Sequence, residues 1–237
     1  MKTLGIVLGY IRYGETSIVS TIYTEALGRQ SYMVKGVRSS KRKDLLPLLI
    51  PLSIVEFETT NRPNAKLQYL KELQIHYPFV ALPFDNVRRA VAMFVAVLLM
   101  KSVRQDNPDS QLFAFLSDSI KTLDTIADGL VNFHIHFMLR LASVLGFEPN
   151  TRERQLPYFD LMNGTMTATC PAHDHYVCQS DLSLWLQAAD LTTDTLSQSH
   201  FTRDDRQRLI SIFEQYYMLH ITGFTPLNSH LVLHEVI

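Results

Sequence analysis

Up to Ile75 the apolar residues of this 237-residue chain recur at every second position, and beyond Pro83 they recur at helical spacing. A strand puts successive side chains on opposite faces, whereas a helix returns to the same face every 3.6 residues, so one element type cannot serve both stretches. The chain is therefore expected to be α+β, with its β-structure first and its helices after. In the first stretch Leu4, Ile6, Leu8 and Tyr10 share one face. Residues 17–24 are rich in β-branched side chains, and 30–34 form a third run. Residues 53–59 alternate with Val55 and Phe57 inward, and 67–75 alternate through Leu67, Tyr69, Leu73 and Ile75. Turn residues separate the runs: Tyr13-Gly14-Glu15, Leu27-Gly28-Arg29 and Thr60-Asn61-Arg62-Pro63-Asn64.

Five short strands with both faces partly apolar predict a sheet curled into a small barrel, and the oligonucleotide/oligosaccharide-binding (OB) barrel is the five-stranded candidate. Pro78 and Pro83 bracket a linker. Asp85 can cap a helix over 86–104 whose middle, 90–100, is apolar nearly all round and so predicts a central bundle helix. Ser110 can cap a second helix that Gly129 stops, and 130–145 form a third closed by Gly146. Residues 150–178 are irregular, with a hairpin-like F-D-L-M-N-G-T-M-T at 159–167. Short helices are expected at 181–189 and 191–198. A longer one over 202–221 opens with Thr202 and Asp205 as an approximate capping box, and a last turn follows at 229–236. The division this gives is a barrel domain at 1–80 and a helical domain at 81–237, the latter with an irregular loop around 150–180.

Charge divides along the same line. Eleven cations face six acids up to Phe79, and the remaining eleven face seventeen, so a protein of net charge -1 is basic at one end and acidic at the other. A polyanion is expected to meet the N-terminal part. Its focus is K-G-V-R-S-S-K-R-K at 35–43, which gathers Lys35, Arg38, Lys41, Arg42 and Lys43 right after the third strand. Cations so close together cannot be buried without losing hydration, so the segment faces solvent as a phosphate-backbone binder would. Arg12 and Arg29, on neighbouring turns, are further DNA-binding candidates. Tyr10, Tyr13, Tyr23 and Tyr32 lie on or beside the first three strands, where core or cross-strand roles outweigh base stacking.

Other signals are weaker. Cys170, His173, His175 and Cys178 are zinc-ligand types, but four within nine residues is tighter than the usual separated pairs, so a metal-free loop is expected and no cofactor with it. His134 and His136, two apart on a helix, cannot share a ligand and read as structural. Asp204 and Asp205 suit a helix N-terminus. No Walker loop, nucleophile elbow or dinucleotide fingerprint occurs, which argues against an enzyme. Two cysteines fit a reducing cytosol, and eleven apolar residues at 90–100 fall short of the roughly 20 that span a bilayer. Arg12 and Glu15 interrupt the apolar start before it could serve as a signal peptide.

The order of these landmarks resembles the bacterial RecO family of recombination mediators. The resemblance rests on G-E-T-S at 14–17, Thr24, Gly28, K-G-V-R at 35–38, S-S-K-R-K at 39–43, Leu46-Pro47 and L-x-x-L-K-E-L at 67–73. It continues in L-G-F at 145–147 and Y-Y-x-x-H-I-x-G-F at 216–224. What it implies is an N-terminal OB barrel with a helical C-terminal domain that binds single- and double-stranded DNA and anneals complementary strands without ATP. It also implies binding of RecR and of the acidic tail of single-strand-binding protein, loading of RecA onto coated DNA, and a cytoplasmic, nucleoid-associated location. Relatives with a four-cysteine zinc site are matched only in part, because no first C-x-x-C follows Leu145-Gly146-Phe147. An adaptor acting mainly through its helical domain is the alternative reading, and Arg140 is the internal cation on the third helix that could meet a partner's tail.

Overall fold

A computed structural model describes residues 1–37, 43–60, 65–104 and 107–227. Arg38, Lys41, Arg42 and the expected turn at 229–236 lie outside the described residues. The N-terminal strands close into a barrel. β1 (Lys2–Tyr13) pairs antiparallel with β2 (Ser17–Thr24), and β2 with β3 (Gly28–Val34). β1 also pairs with β4 (Ile54–Thr59), and β4 with β5 (Gln68–Ile75). The ring closes in the order β1-β2-β3-β5-β4 through a short parallel contact, Tyr32 opposite Gln68 and Met33 opposite Tyr69. This is the expected OB-type barrel. Val7, Ile18, Ile22, Tyr32, Val34, Val55 and Phe57 fill it, and Leu49 from the β3–β4 connection packs with them.

β5 corrects the sequence reading. Simple alternation points Tyr69 and Ile75 inward, yet both are more than a third exposed, while Gln68 is buried and Leu70 and Leu73 pack on the core. The ladder register shifts between Glu56 and Glu58, which leaves one extra residue on β5. Glu72 takes up that residue at φ +51. A bulge of this kind reverses which side chains face in on either side of it, so no period-2 count can carry through it. The tyrosines also divide: Tyr23 and Tyr32 are buried, whereas Tyr10 and Tyr13 are exposed near the β1–β2 hairpin tip.

The helices are α1 (Asn86–Ser102), α2 (Ser110–Thr125), α3 (Phe133–Val144), α4 (Gln179–Ala189) and α5 (Arg203–His220). Asp85 Oδ1 accepts the Val87 and Arg88 N–H groups and so caps α1. Asp109, not Ser110, caps α2, its Oδ1 accepting from Leu112 N at 2.9 Å. A carboxylate serves this position as well as a hydroxyl does and adds a favourable charge at the helix dipole. The helix expected at 191–198 is reduced to one turn, Thr193–Thr195, closed by reciprocal bonds between Thr192 and Thr195. Threonine hydroxyls there compete for backbone groups that a longer helix would need. The Thr202/Asp205 capping box forms as read. Between α3 and α4, β6 (Tyr158–Asp160), β7 (Thr165–Thr167) and β8 (Tyr176–Cys178) make a small sheet in the order β7-β6-β8. Among the described residues no helix is long and apolar enough to cross a membrane.

By contacts the chain forms two compact units, Met1–Pro83 with Ala96–Asp124, and Phe84–Val95 with the chain from Thr125 onward. A cut near residue 80 follows the change of sequence period, but the second half of α1 and nearly all of α2 group with the barrel. The contacts show why: the Tyr23 and Phe113 rings stack at 6.4 Å, and Arg29 Nη1 donates to the carbonyls of Met100 and Val103 at the end of α1. Asp124, in the last turn of α2, is fully buried and accepts from Val80, Ala81 and Leu82 N–H groups at 2.7–2.9 Å and from the Tyr77 hydroxyl at 3.1 Å. Burial alone would raise its pKa, but these four bonds outweigh that and hold it below the ordinary carboxylate value.

In the second unit the two distant motifs of the helical half meet. Phe147 contacts the rings of Tyr216, Tyr217 and His220, with centroids 5.1–5.8 Å apart, and Tyr217 contacts Phe224. The Tyr216 and Tyr217 hydroxyls donate to the carbonyls of Phe147 and Met138. L-G-F and Y-Y-x-x-H-I-x-G-F are thus two sides of one aromatic cluster, a structural device that ties α5 to the end of α3.

Candidate nucleic-acid interface

β3 ends at Val34, and the chain must then leave the barrel wall. Lys35 is exposed, Gly36 adopts φ +69, and Val37 turns back to be fully buried in the barrel core. The left-handed conformation at position 36 suits glycine because a Cβ there would clash with the backbone. The basic segment therefore starts from a fixed point: one residue is anchored inside the barrel while the residue two before it faces water. Lys43 opens a single 3-10 turn, Lys43–Leu45, on the far side of the segment, and Asp44 beside it is exposed.

The ladder places the other two arginines at opposite ends of β3. Arg12 is opposite Ile18, which is opposite Val34, so at about 4.8 Å per strand Arg12 lies roughly 10 Å from the residue that precedes Lys35. Arg12 is exposed and shares that rim. Arg29 is five residues back along β3, about 17 Å away at 3.3 Å per residue. Its guanidinium is committed to the carbonyls that end α1, a partner that complements the helix dipole. The structure thus brings Arg12 and Lys35 to one rim and gives Arg29 a structural duty at the other.

Two side chains that sequence reasoning passed over also belong to the Lys35 rim. The Lys35 ammonium lies 5.3 Å from the centroid of the Tyr69 ring, and Lys71 follows on the same strand. An open cleft of about 490 Å³ is lined by Met33, Lys35, Glu58, Thr59, Tyr69 and Lys71, among others. The signal that could have found them is L-Q-Y-L-K-E-L itself, where an aromatic and a lysine are spaced two apart on a strand next to a proline-containing turn.

The cysteine and histidine loop spends its polar groups locally. His173 Nδ1 accepts from His175 N at 3.2 Å, which leaves Nε2 to donate toward Asp160 Oδ1 at 3.4 Å. Asp160 also accepts from the backbone of Met162 and Asn163 and from the Asn163 amide, closing the β6–β7 turn. Cys170 beside the Tyr176 hydroxyl raises that hydroxyl's pKa. Among the described residues no three His, Cys, Asp or Glu side chains converge on a metal position. His134 is fully buried and edge-on to Phe94 at 5.6 Å, and burial followed by the charge of Arg206 lowers its pKa to about 3, so it is a neutral core residue. His136 bonds the Leu191 carbonyl. Arg140 on α3 is exposed.

Two family models match the chain, Recombination protein O N terminal over residues 1–79 and Recombination protein O C terminal over 83–230. It is 36% identical to the DNA repair protein RecO of Bacteroides fragilis, across 99% of this chain and 98% of that protein. It is 35% identical to the DNA repair protein RecO of Phocaeicola vulgatus, with the same coverage, and 30% identical to that of Christiangramia forsetii, across 100% and 98%. With both halves matched in order around a closed five-stranded barrel and a helical remainder, the chain belongs to the RecO family of DNA repair proteins.

Proposed function

We propose that this protein is a DNA-binding recombination mediator that acts without catalytic chemistry of its own. It binds single- and double-stranded DNA through the basic segment at 35–43 with Arg12, and it anneals complementary strands without ATP. With RecR it helps load RecA onto DNA coated by single-strand-binding protein, whose acidic tail it binds through its helical part, in the bacterial cytoplasm at the nucleoid. The observation that carries this reading is the exposed Lys35 at a glycine-hinged exit from the barrel, with Arg12 on the same rim and four more cations following in the sequence. Cations held in that way screen two phosphate backbones at once, which lowers the repulsion between strands, and the bases then pair by themselves. No proton transfer is needed.

The test replaces Lys41, Arg42 and Lys43 with alanine and measures affinity for a single strand and for a duplex across a salt series. Each lost phosphate contact should flatten the salt dependence by about 0.7–0.9 of a slope unit, so the triple variant should lose about two to three units for either form. Strand annealing should slow in parallel. Unchanged affinity with an unchanged slope would remove the assignment.

A further inference from the structure

We propose that Tyr69, Lys35 and Lys71 form a single-nucleotide subsite for unpaired nucleic acid. A base stacks on the tyrosine ring, and the phosphates on either side of it meet the two ammonium groups. This rests on the DNA-binding reading above and adds to it residues on β5 and a preference for unpaired bases.

Three observations converge. β3 and β5 run parallel with Met33 opposite Tyr69, the Lys35 ammonium just past β3 lies 5.3 Å from the Tyr69 ring centroid, and Lys71, two residues on along β5, lines the same cleft. The second is the cleft: about 490 Å³ lies within the range of roughly 300–1,000 Å³ typical of small-ligand sites, and Tyr69 is 38% exposed within it. The third is the backbone of β5. Glu72 occupies a left-handed conformation that non-glycine residues rarely adopt, and the resulting bulge lets Leu70 and Leu73 both pack on the core. Without that extra residue, Leu70 and Leu73 would face opposite sides. A strained bulge next to a cleft is how sheets re-aim side chains toward a ligand.

The chemistry selects the ligand. An exposed aromatic ring with cations beside it offers a stacking surface to another planar π-system, and every base has one. In a duplex those faces are covered by neighbouring base pairs, so only an unpaired base can reach the ring. Glu58 stands directly across the ladder from Lys71 and is the one acid among the described residues that line the cleft. Its carboxylate repels a phosphate and accepts a hydrogen bond from an N–H on the base edge, in thymine the ring N3–H, which orients the base inward and its phosphates toward the lysines.

The experiment uses the full chain, a fluorescent oligothymidylate and a duplex of equal length. Tyr69→Leu, which keeps bulk but removes the ring, should weaken the single strand about tenfold and leave duplex affinity and both salt slopes as they were. Tyr69→Trp should bind as tightly as the parent, with its emission quenched on oligonucleotide addition. Lys71→Ala should flatten the single-strand salt slope by about 0.7. Glu58→Gln should tighten single-strand binding by about two- to fivefold. Equal oligothymidylate affinity for Tyr69→Leu and parent, together with unquenched Tyr69→Trp, would overturn the subsite while leaving the DNA-binding reading in place. A parent chain that binds neither DNA form would instead sink that reading, and the subsite with it.

Discussion

The two ends of β3 carry the same kind of charge and use it in opposite ways. Arg29, at the first end, hands its guanidinium to the final carbonyls of α1, while Lys35, just past the other end, stays at the surface over an exposed tyrosine. Sequence distance does not separate them, since both sit at a glycine-containing turn. What separates them is the neighbour. A helix C-terminus has carbonyls without partners in its own helix, and a cation close enough to reach them is taken up for structure. At the Lys35 end the ammonium lies beside an aromatic ring on a surface open to solvent.

The strongest way to extend this contrast is at Asp124, which does for the linker what Arg29 does for α1. Asp124→Ala should destabilise the protein by about 3 kcal/mol, because the N–H groups of Val80, Ala81 and buried Leu82 lose a charged acceptor together. Urea melts of parent and variant measure it, and a loss under 1 kcal/mol would show that the linker finds other partners. Arg29→Ala should cost about 1.5 kcal/mol and leave the salt slope of DNA binding untouched. A flatter slope in that variant would break the distinction between the two ends.

A pH series sharpens the same point with a group that has no exposed role. His134 titrates near 3 in the folded protein, below its ordinary 6.5, so the unfolded chain binds the extra proton between those values. Stability should therefore fall as pH drops from 6.5 toward 3, by up to about 1.4 kcal/mol per unit from this group. His134→Leu should flatten that part of the profile, and an identical slope in parent and variant would count against it. Lys35→Ala should be smallest of all on stability, within about 0.5 kcal/mol, while it lowers the DNA salt slope by about 0.9 on duplex. A large stability loss there would mean Lys35 is as structural as Arg29.

Much of this architecture was legible from residue order. The change of period at the linker predicted a barrel followed by helices, and Asp85, Thr202 and Gly146 marked helix ends that the structure keeps. Local rules sufficed there because caps and turns are satisfied by residues three or four positions away. β5 was misread because its inward set depends on a bulge set by pairing with β4, which no local pattern encodes. The same limit applies to the rim. Lys35 stood out as part of a charge run, whereas Tyr69 and Lys71 join it only through the parallel pairing of strands more than 30 residues apart. The tie between Arg29 and the end of α1 was not legible either, because its acceptors at Met100 and Val103 lie more than 70 residues downstream.

Among the described residues the barrel is sewn shut between β3 and β5 by two residue pairs, fewer than join any other neighbouring strands in the ring. Fluctuations that open a closed sheet start where the fewest bonds must break, so amide protons along that join should exchange ahead of those elsewhere in the wall. A polyanion gripping a lysine from each side of it would act as a suture, and protection gained at Met33 and Tyr69 on binding would register the seam being drawn closed.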